Sequence, residues 1–197
     1  MSGRGDRWER LFTDLEAQAA AAVRAELDGE LPDRTRSARA EVPFTDRLRA
    51  SLGREVSLRL AGGAAVRGTL RHVALEWLVV LAPDRGTPSL VPTAAVVSGQ
   101  GLSRHATAAS PSAVAERLSL RSVLRTVAID RSPVRLWLTD GRVLGGTLDD
   151  VGHDHVDLAE HPLDEPRRPG SVRDTHTVLV SGVALLAPAE GTSSLAW

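Results

Sequence analysis

The chain has 197 residues, with 24 basic and 25 acidic side chains and a net charge of −1. This balance excludes a generic polyanion-binding domain, because such domains usually have a pI above about 9. The absence of cysteine excludes disulfides and thiolate chemistry. No apolar run approaches the roughly 18 residues of a membrane span, and the first residues lack the apolar core of a secretory signal. We therefore expect a cytoplasmic protein that does not contact a membrane.

Charge is unevenly distributed along the chain. Residues 53–104 hold six arginines against three acidic residues, whereas residues 105–197 hold nine arginines against twelve acidic residues. The two parts therefore carry opposite net charge. This favours packing one part against the other, within a chain or between chains.

The first predicted element is an amphipathic helix within residues 1–30. Asp6 and Glu9 are spaced as a capping pair, and Gly29 followed by Pro32 marks the helix end. The apolar stripe must pack against the rest of its own chain or against a partner helix. Its members, which recur at steps of three and four residues, are Trp8, Leu11, Phe12, Leu15, Ala19, Ala22, Val23 and Leu27.

Residues 44–102 are predicted to form a short helix followed by five strands, because apolar residues first take helical spacing and then alternate. Gly53 suits a helix stop, Gly62-Gly63 a tight hairpin turn, and Gly68 a sharp bend within a strand. The helix would present Phe44, Leu48 and Leu52, and the strands would cover about 56–60, 65–74, 77–81, 90–91 and 95–97.

Residues 103–117 are expected to form a linker and the start of another helix, and residues 118–189 a second unit of the same kind. Asp140-Gly141 is a strong hairpin signal, and residues 160–174 have the composition of a long loop. The helix would cover 113–127 with Leu118, Leu120, Val123 and Leu124 as its apolar residues, and the strands about 133–138, 143–152, 154–159 and two within 177–186.

The two units share one pattern without a gap. Apolar residues alternate and glycines occupy matching places in two stretches that lie 78 positions apart. Such self-similarity indicates that one small structural unit occurs twice. The matching positions are Val56, Leu58, Leu60, Gly63, Val66, Gly68, Leu70 and Val73, and then Val134, Leu136, Leu138, Gly141, Leu144, Gly146, Leu148 and Val151.

This pattern resembles the first motif of Sm-like proteins. Val97-Ser98-Gly99 is similar to their second motif, whereas Leu185-Leu186-Ala187 departs from it. The likeness covers about residues 44–102 and 118–187, and the whole arrangement also resembles an actinobacterial group of unassigned function. The resemblance implies a mostly β fold with helices, in which an N-terminal α-helix precedes two small five-stranded Sm-like or SH3-like barrels.

Sm-like proteins assemble through edge strands into six- or seven-membered rings and bind single-stranded RNA around the pore. Their base-contacting aspartate and asparagine correspond to places near Ala74 and Leu78, and near Gly152 and Val156, so the RNA-reading residues are missing from both units. The remaining RNA-binding candidates are Trp77 as a stacking platform, Arg67, Arg71 and Arg104 as backbone contacts, and Ser98 in the second motif.

Each of these candidates has a structural alternative. For Trp77, burial in the barrel or under the N-terminal helix is the preferred explanation, because single aromatic residues mostly serve as packing. The arginines alternate with apolar positions, which is also typical of the solvated face of a strand.

The histidines raise the question of a metal site. His153 and His155 would point the same way on a strand, with His176 or Asp157 as a third ligand. Zinc needs three or four converging ligands and only a pair is visible, so exposed turn and strand residues are the preferred interpretation. We expect no metal and no other cofactor.

Catalysis has little support in the sequence. No nucleophile elbow and no phosphate-loop lysine occur, and adjacent Asp149 and Asp150 would face opposite sides of a strand. We expect no catalytic residues and no small-molecule substrate.

The leading hypothesis is a non-enzymatic interaction or scaffold module that assembles through the edge strands of its barrels, with itself or with another protein. Each chain would supply two barrels, so a six-membered ring would need three chains. The expected homo-oligomer is therefore a trimeric pseudo-ring. The alternative is a single-stranded RNA-binding protein in the Sm manner.

Overall fold

A single antiparallel sheet of ten strands dominates the part of the protein that can be described. The computed structural model describes residues 42–84, 86–107, 118–163 and 170–189. The described residues from Pro43 onward belong to one compact unit. The helix predicted within residues 1–30 lies outside the described residues. No helix among the described residues is long and apolar enough to cross a membrane.

The strands follow in the order β5-β1-β2-β3-β4-β10-β6-β7-β8-β9, and the sheet is open, with β5 and β9 at its two edges. The predicted mostly β fold with few helices is confirmed. The elements are α1 (Phe44–Arg49), β1 (Glu55–Leu60), β2 (Ala65–Val73), β3 (Trp77–Leu81), β4 (Pro88–Pro92), β5 (Val96–Gln100), α2 (Leu120–Asp130), β6 (Val134–Leu138), β7 (Val143–Val151), β8 (His155–Glu160), β9 (Asp174–Leu179) and β10 (Val183–Pro188).

The pairing register of β1 to β5 is repeated in β6 to β10. Val56 lies opposite Gly68 and Val134 opposite Gly146, so the first hairpins of the two halves correspond residue for residue. The β2–β3 pair and the β7–β8 pair also share a register shift, which follows Leu70 in β2 and Leu148 in β7. The predicted duplication is therefore present in the strand register. We call α1 to β5 the first repeat and α2 to β10 the second repeat.

A bend glycine stands at the same place in both repeats. A Cβ atom on Gly68 would lie 1.9 Å from the carbonyl oxygen of Leu81, and one on Gly146 would lie 2.0 Å from the carbonyl oxygen of Ala159. Both distances are far below van der Waals contact, so a side chain is impossible unless the strands separate. This close approach is the physical reason for the matching glycines in the sequence.

The helices differ from the sequence-based expectation at their ends. α1 ends at Arg49, and Leu52 lies beyond it with 46% of its surface exposed. The chain turns away at Gly53, which has φ +76° and donates its N–H to the carbonyl of Leu70. Phe44 is also exposed, so the expected three-residue apolar face is reduced to Leu48. α2 starts at Leu120 and continues to Asp130.

Each repeat contributes most of one buried cluster, and Leu48 of α1 and Leu124 of α2 are fully buried in the first and the second cluster respectively. Each cluster also takes residues from the other repeat. The first cluster contains Trp137, Ala184, Leu185 and Ala187 of the second repeat, and the second cluster contains Ala74, Trp77 and Leu90 of the first repeat.

Candidate functional site

The two repeats are joined edge to edge through β4 and β10. Leu90 lies opposite Leu186 in an antiparallel pairing, and this pairing makes one sheet of the two sets of five strands. β10 is buried on both faces, because every residue from Val183 to Ala187 is at most 5% exposed. Its side chains enter both clusters, with Ala184, Leu185 and Ala187 in the first and Val183 and Leu186 in the second. We call this contact the internal joint.

Trp77 connects the first repeat to the second. Its side chain is 7% exposed, and its indole Nε1–H donates to the carbonyl oxygen of Leu118 at 2.8 Å. Beside it, Oε2 of Glu76 accepts the backbone N–H of Leu120 at 2.8 Å, where α2 begins. A carboxylate is favourable near a helix N-terminus. The turn between β2 and β3 thus fixes the start of the second repeat's helix.

Trp137 makes the reciprocal connection from the second repeat. It lies on β6 opposite Leu185 of β10, and both side chains belong to the first cluster. The antiparallel register of the internal joint places Val91 of β4 opposite Leu185, and Leu78 of β3 follows in the same row. All four residues are buried, so this row continues the first core across the joint.

A cleft of about 660 Å³ opens at the internal joint between the turns of the two repeats. Its polar groups come from Glu76, Thr93, Ser119, Arg121, His153 and Ser181. The Oγ1 atom of Thr93 is buried and makes no hydrogen bond to the described residues. The cleft therefore has mixed polarity and no dominant charge.

The two free edges differ sharply from the internal joint. On β5 every residue after Val96 is exposed, with Val97 at 71%, and on β9 only Val178 is buried. Matching strand registers give each joint residue an equivalent at a free edge. At the β9 edge, His155 is the equivalent of Trp77, and Thr177 is the equivalent of Leu90. At the β5 edge, Arg59 is the equivalent of Trp137, Ser98 of Leu185, and Gln100 of Ala187.

The five residues proposed from the sequence as RNA contacts do not form one surface around an exposed aromatic side chain. Trp77 is buried, and it lies in the second cluster instead of in the core of its own repeat. Arg67 is exposed on β2 and its Nε donates to Oε1 of Glu55 at 2.9 Å. Arg71 is exposed at the register shift of β2, Ser98 is exposed on β5, and Arg104 is exposed in the segment after β5.

His155 and His176 pair with carboxylates rather than with each other. His155 Nδ1 lies 3.0 Å from Oδ1 of Asp154, and His176 Nε2 lies 2.7 Å from Oε2 of Glu160. His153 lies in the turn before β8, so it does not share a strand face with His155, contrary to the prediction. Within the described ranges no three histidine, aspartate or glutamate side chains come together as a metal site.

His155 and Asp154 respond to pH as a pair. The hydrogen bond to Asp154 raises the pKa of His155 above its ordinary 6.5, and the same bond lowers the pKa of Asp154. Protonated His155 therefore stabilises the folded state. This stabilisation is complete at pH values below the unfolded pKa of about 6.5, and it is lost as pH rises through the higher pKa of the folded state.

We therefore predict that NMR titration gives His155 a pKa above 6.5 and that Asp154→Asn moves it down towards that value. Ser181→Ala, which removes no hydrogen bond to His155, serves as the control. An unchanged His155 pKa in Asp154→Asn would contradict the pairing.

Comparison with family models, with curated proteins and with solved structures gave no match to this chain. The interpretation of the site therefore depends on its geometry. The sequence analysis missed Glu76 and Trp137 as joint residues, and a signal was present only for Trp137. The uninterrupted apolar runs Leu136-Trp137-Leu138 and Val183-Ala184-Leu185-Leu186-Ala187 indicate strands buried on both faces, which an edge strand would not need.

Proposed function

We propose that this protein is a non-enzymatic interaction module of two Sm-like barrels, which assembles through the edge strands of its sheet. The observation that carries the proposal is the internal joint, in which an edge strand of one repeat pairs with an edge strand of the other. A repeat that has one β4-type edge and one β10-type edge can join further repeats in the same way. Pairing of exposed strand edges is a common mode of protein association.

Polar side chains at the two free edges favour a reversible contact between chains. An apolar joint like that between the repeats suits a permanent contact, because permanent interfaces resemble a domain core. Single-stranded RNA binding takes second place, since Trp77 is buried and Arg67 is engaged with Glu55. Both features reduce what these residues could offer to a nucleic acid.

Light scattering with size-exclusion chromatography tests the proposal over a wide range of concentration. One chain has a mass of 21.0 kDa, and we expect a species of three chains, which would contain six repeats. The trimer should dissociate on dilution. A mass of one chain at every concentration would reject self-assembly.

A further inference from the structure

The cleft at the internal joint has the size and the lining of a small-molecule site. Its volume of about 660 Å³ lies within the range of roughly 300–1,000 Å³ that such sites usually have. Turns of both repeats and the start of α2 line it. We propose that this cleft binds a small organic acid, with one carboxylate and an apolar body. The site lies within one chain, so this inference does not depend on assembly through the sheet edges.

The apolar side chains of the cleft determine what kind of body the ligand has. Six of the twelve residues that line the cleft are apolar. Among them Pro92, Leu120 and Val183 are buried, whereas Leu75 is 66% exposed. A ligand that covers Leu75 removes apolar surface from water, and an apolar body gains the most from this contact.

Arg121 is a charged group of the cleft that has no partner of its own. It lies in the first turn of α2, where a cation is unfavourable because the helix N-terminus carries a partial positive charge. Its side chain makes no ion pair or hydrogen bond with any residue that the structure describes. Neither the helix nor a neighbouring side chain therefore explains an arginine at this position. A guanidinium group binds a carboxylate well, because it donates two parallel hydrogen bonds to it.

Two hydroxyl groups of the cleft can also bind ligand oxygen atoms. Thr93 has a buried Oγ1 atom without a hydrogen bond to the described residues. Such a buried hydroxyl is unusual in a folded protein, and a ligand oxygen would satisfy it. The hydroxyl of Ser181 is exposed and likewise makes no hydrogen bond within the described part of the chain. Together with Arg121, these hydroxyls suit an anion that carries oxygen atoms.

Glu76 limits the charge of the ligand to a single negative charge. Its Oε2 accepts the backbone N–H of Leu120 at 2.8 Å, so a carboxylate of the protein already occupies the first amide of α2. A second negative charge on the ligand would be repelled by this carboxylate. A phosphate monoester carries a charge of about −1.5 to −2 at pH 7, whereas a carboxylate carries only one. The cleft therefore favours a carboxylate over a phosphate.

NMR titration and calorimetry on the full chain test this inference, with octanoate as the probe. We expect saturable shifts of the amide signals of Leu75, Leu120 and Val183. Octanamide has the same apolar body without the charge, and acetate has the charge without the body. Each should bind about tenfold or more weakly than octanoate, because each lacks one of the two kinds of contact.

Three variants locate the carboxylate and the body within the cleft. Arg121→Gln should weaken octanoate binding about tenfold or more, because it removes the charged donor. Arg125→Gln is the matched control, since Arg125 is exposed one turn later in α2 and does not line the cleft, and it should change the affinity by less than about twofold. Ala94→Phe fills the cleft from an exposed position and should abolish binding.

Thermal unfolding shows whether a variant loses its ligand without losing its fold. Arg121→Gln removes an unfavourable cation from the first turn of α2, so its unfolding temperature should not fall below that of the native protein. A fall in unfolding temperature as large as that of a core variant would overturn the inference, because Arg121 would then stabilise the fold itself.

The binding results separate this inference from the proposed function. Absence of saturable shifts at the cleft, equal binding of octanoate and octanamide, or equal losses in Arg121→Gln and Arg125→Gln would overturn it. Tighter binding of uridine monophosphate than of octanoate would also overturn it, and would favour the RNA-binding alternative. None of these results changes the oligomeric state, which light scattering measures separately. A monomer at every concentration would in turn leave the cleft and its ligand unaffected.

Discussion

Gly146→Ala is expected to destabilise the protein by about 3 kcal/mol or more, because overpacking of this size cannot be relieved by side-chain movement alone. The new methyl group would lie 2.0 Å from the carbonyl oxygen of Ala159, a backbone atom of the neighbouring strand. Gly146 has no unusual backbone conformation, so the loss measures close approach alone. Gly68→Ala in the first repeat should cost at least as much, because its φ of +153° adds backbone strain to the same close approach. Urea unfolding followed by circular dichroism measures the change.

Gly63→Ala is the matched control for backbone conformation. Gly63 has φ +85°, and a Cβ atom there would meet nothing within 4 Å. Its replacement should cost only about 1–2 kcal/mol, the penalty of a left-handed backbone for a residue with a side chain. Equal losses in Gly63→Ala and Gly146→Ala would contradict the account of the bend glycines.

Trp77→Ala is expected to lower the free energy of unfolding by about 3–5 kcal/mol, as removal of a buried tryptophan usually does. The substitution removes packing in the second cluster and leaves the carbonyl of Leu118 without its indole donor. Because Trp77 belongs to the first repeat and packs in the core of the second, we also expect the internal joint to loosen. Thermal and urea unfolding measure the loss.

Two variants divide the effect of Trp77 into its parts. Trp77→Phe keeps an aromatic ring and loses the N–H donor, so it should cost about 1–3 kcal/mol. Leu75→Ala changes a side chain that is 66% exposed in the adjacent turn and should cost less than about 0.5 kcal/mol. If Trp77→Ala cost no more than Leu75→Ala, Trp77 would not hold the repeats together.

The strands and their bends could be predicted because local physics determines them. Alternating apolar residues from Val56 to Leu60 predict a strand with one buried face, and the structure has β1 there. Gly68 and Gly146 stand where two strands approach too closely for a Cβ atom. Both signals lie within short stretches of the sequence, so the duplication could be predicted from the sequence alone.

The contacts of the internal joint could not be predicted, because the apolar runs indicate buried strands but the residues that meet are far apart in sequence. Trp77 and Leu118 are 41 positions apart, and no local pattern indicates that one donates a hydrogen bond to the other. The same holds for Glu76 and the backbone of Leu120. A tryptophan in an apolar run fits a stacking platform and a packing residue equally, and only its neighbours decide between them.

The polar free edges became informative only through comparison with the joint. Arg59 or Thr177 alone is an ordinary surface residue of a strand. Their position becomes informative because the equivalent residues, Trp137 and Leu90, are buried where the repeats meet. Sequence alignment of the two units aligns Arg59 with Trp137, but it does not show that the second of them crosses a joint.

The most direct test of assembly through sheet edges is hydrogen exchange on the full chain at two concentrations. We expect amides of β5 and β9 to exchange quickly in dilute solution and to become at least tenfold slower where the trimer forms. Amides of β4 and β10 should stay protected throughout, because their joint lies within one chain. Equal, fast exchange of β5 and β9 at both concentrations, or loss of protection in β4 and β10 on dilution, would contradict this account.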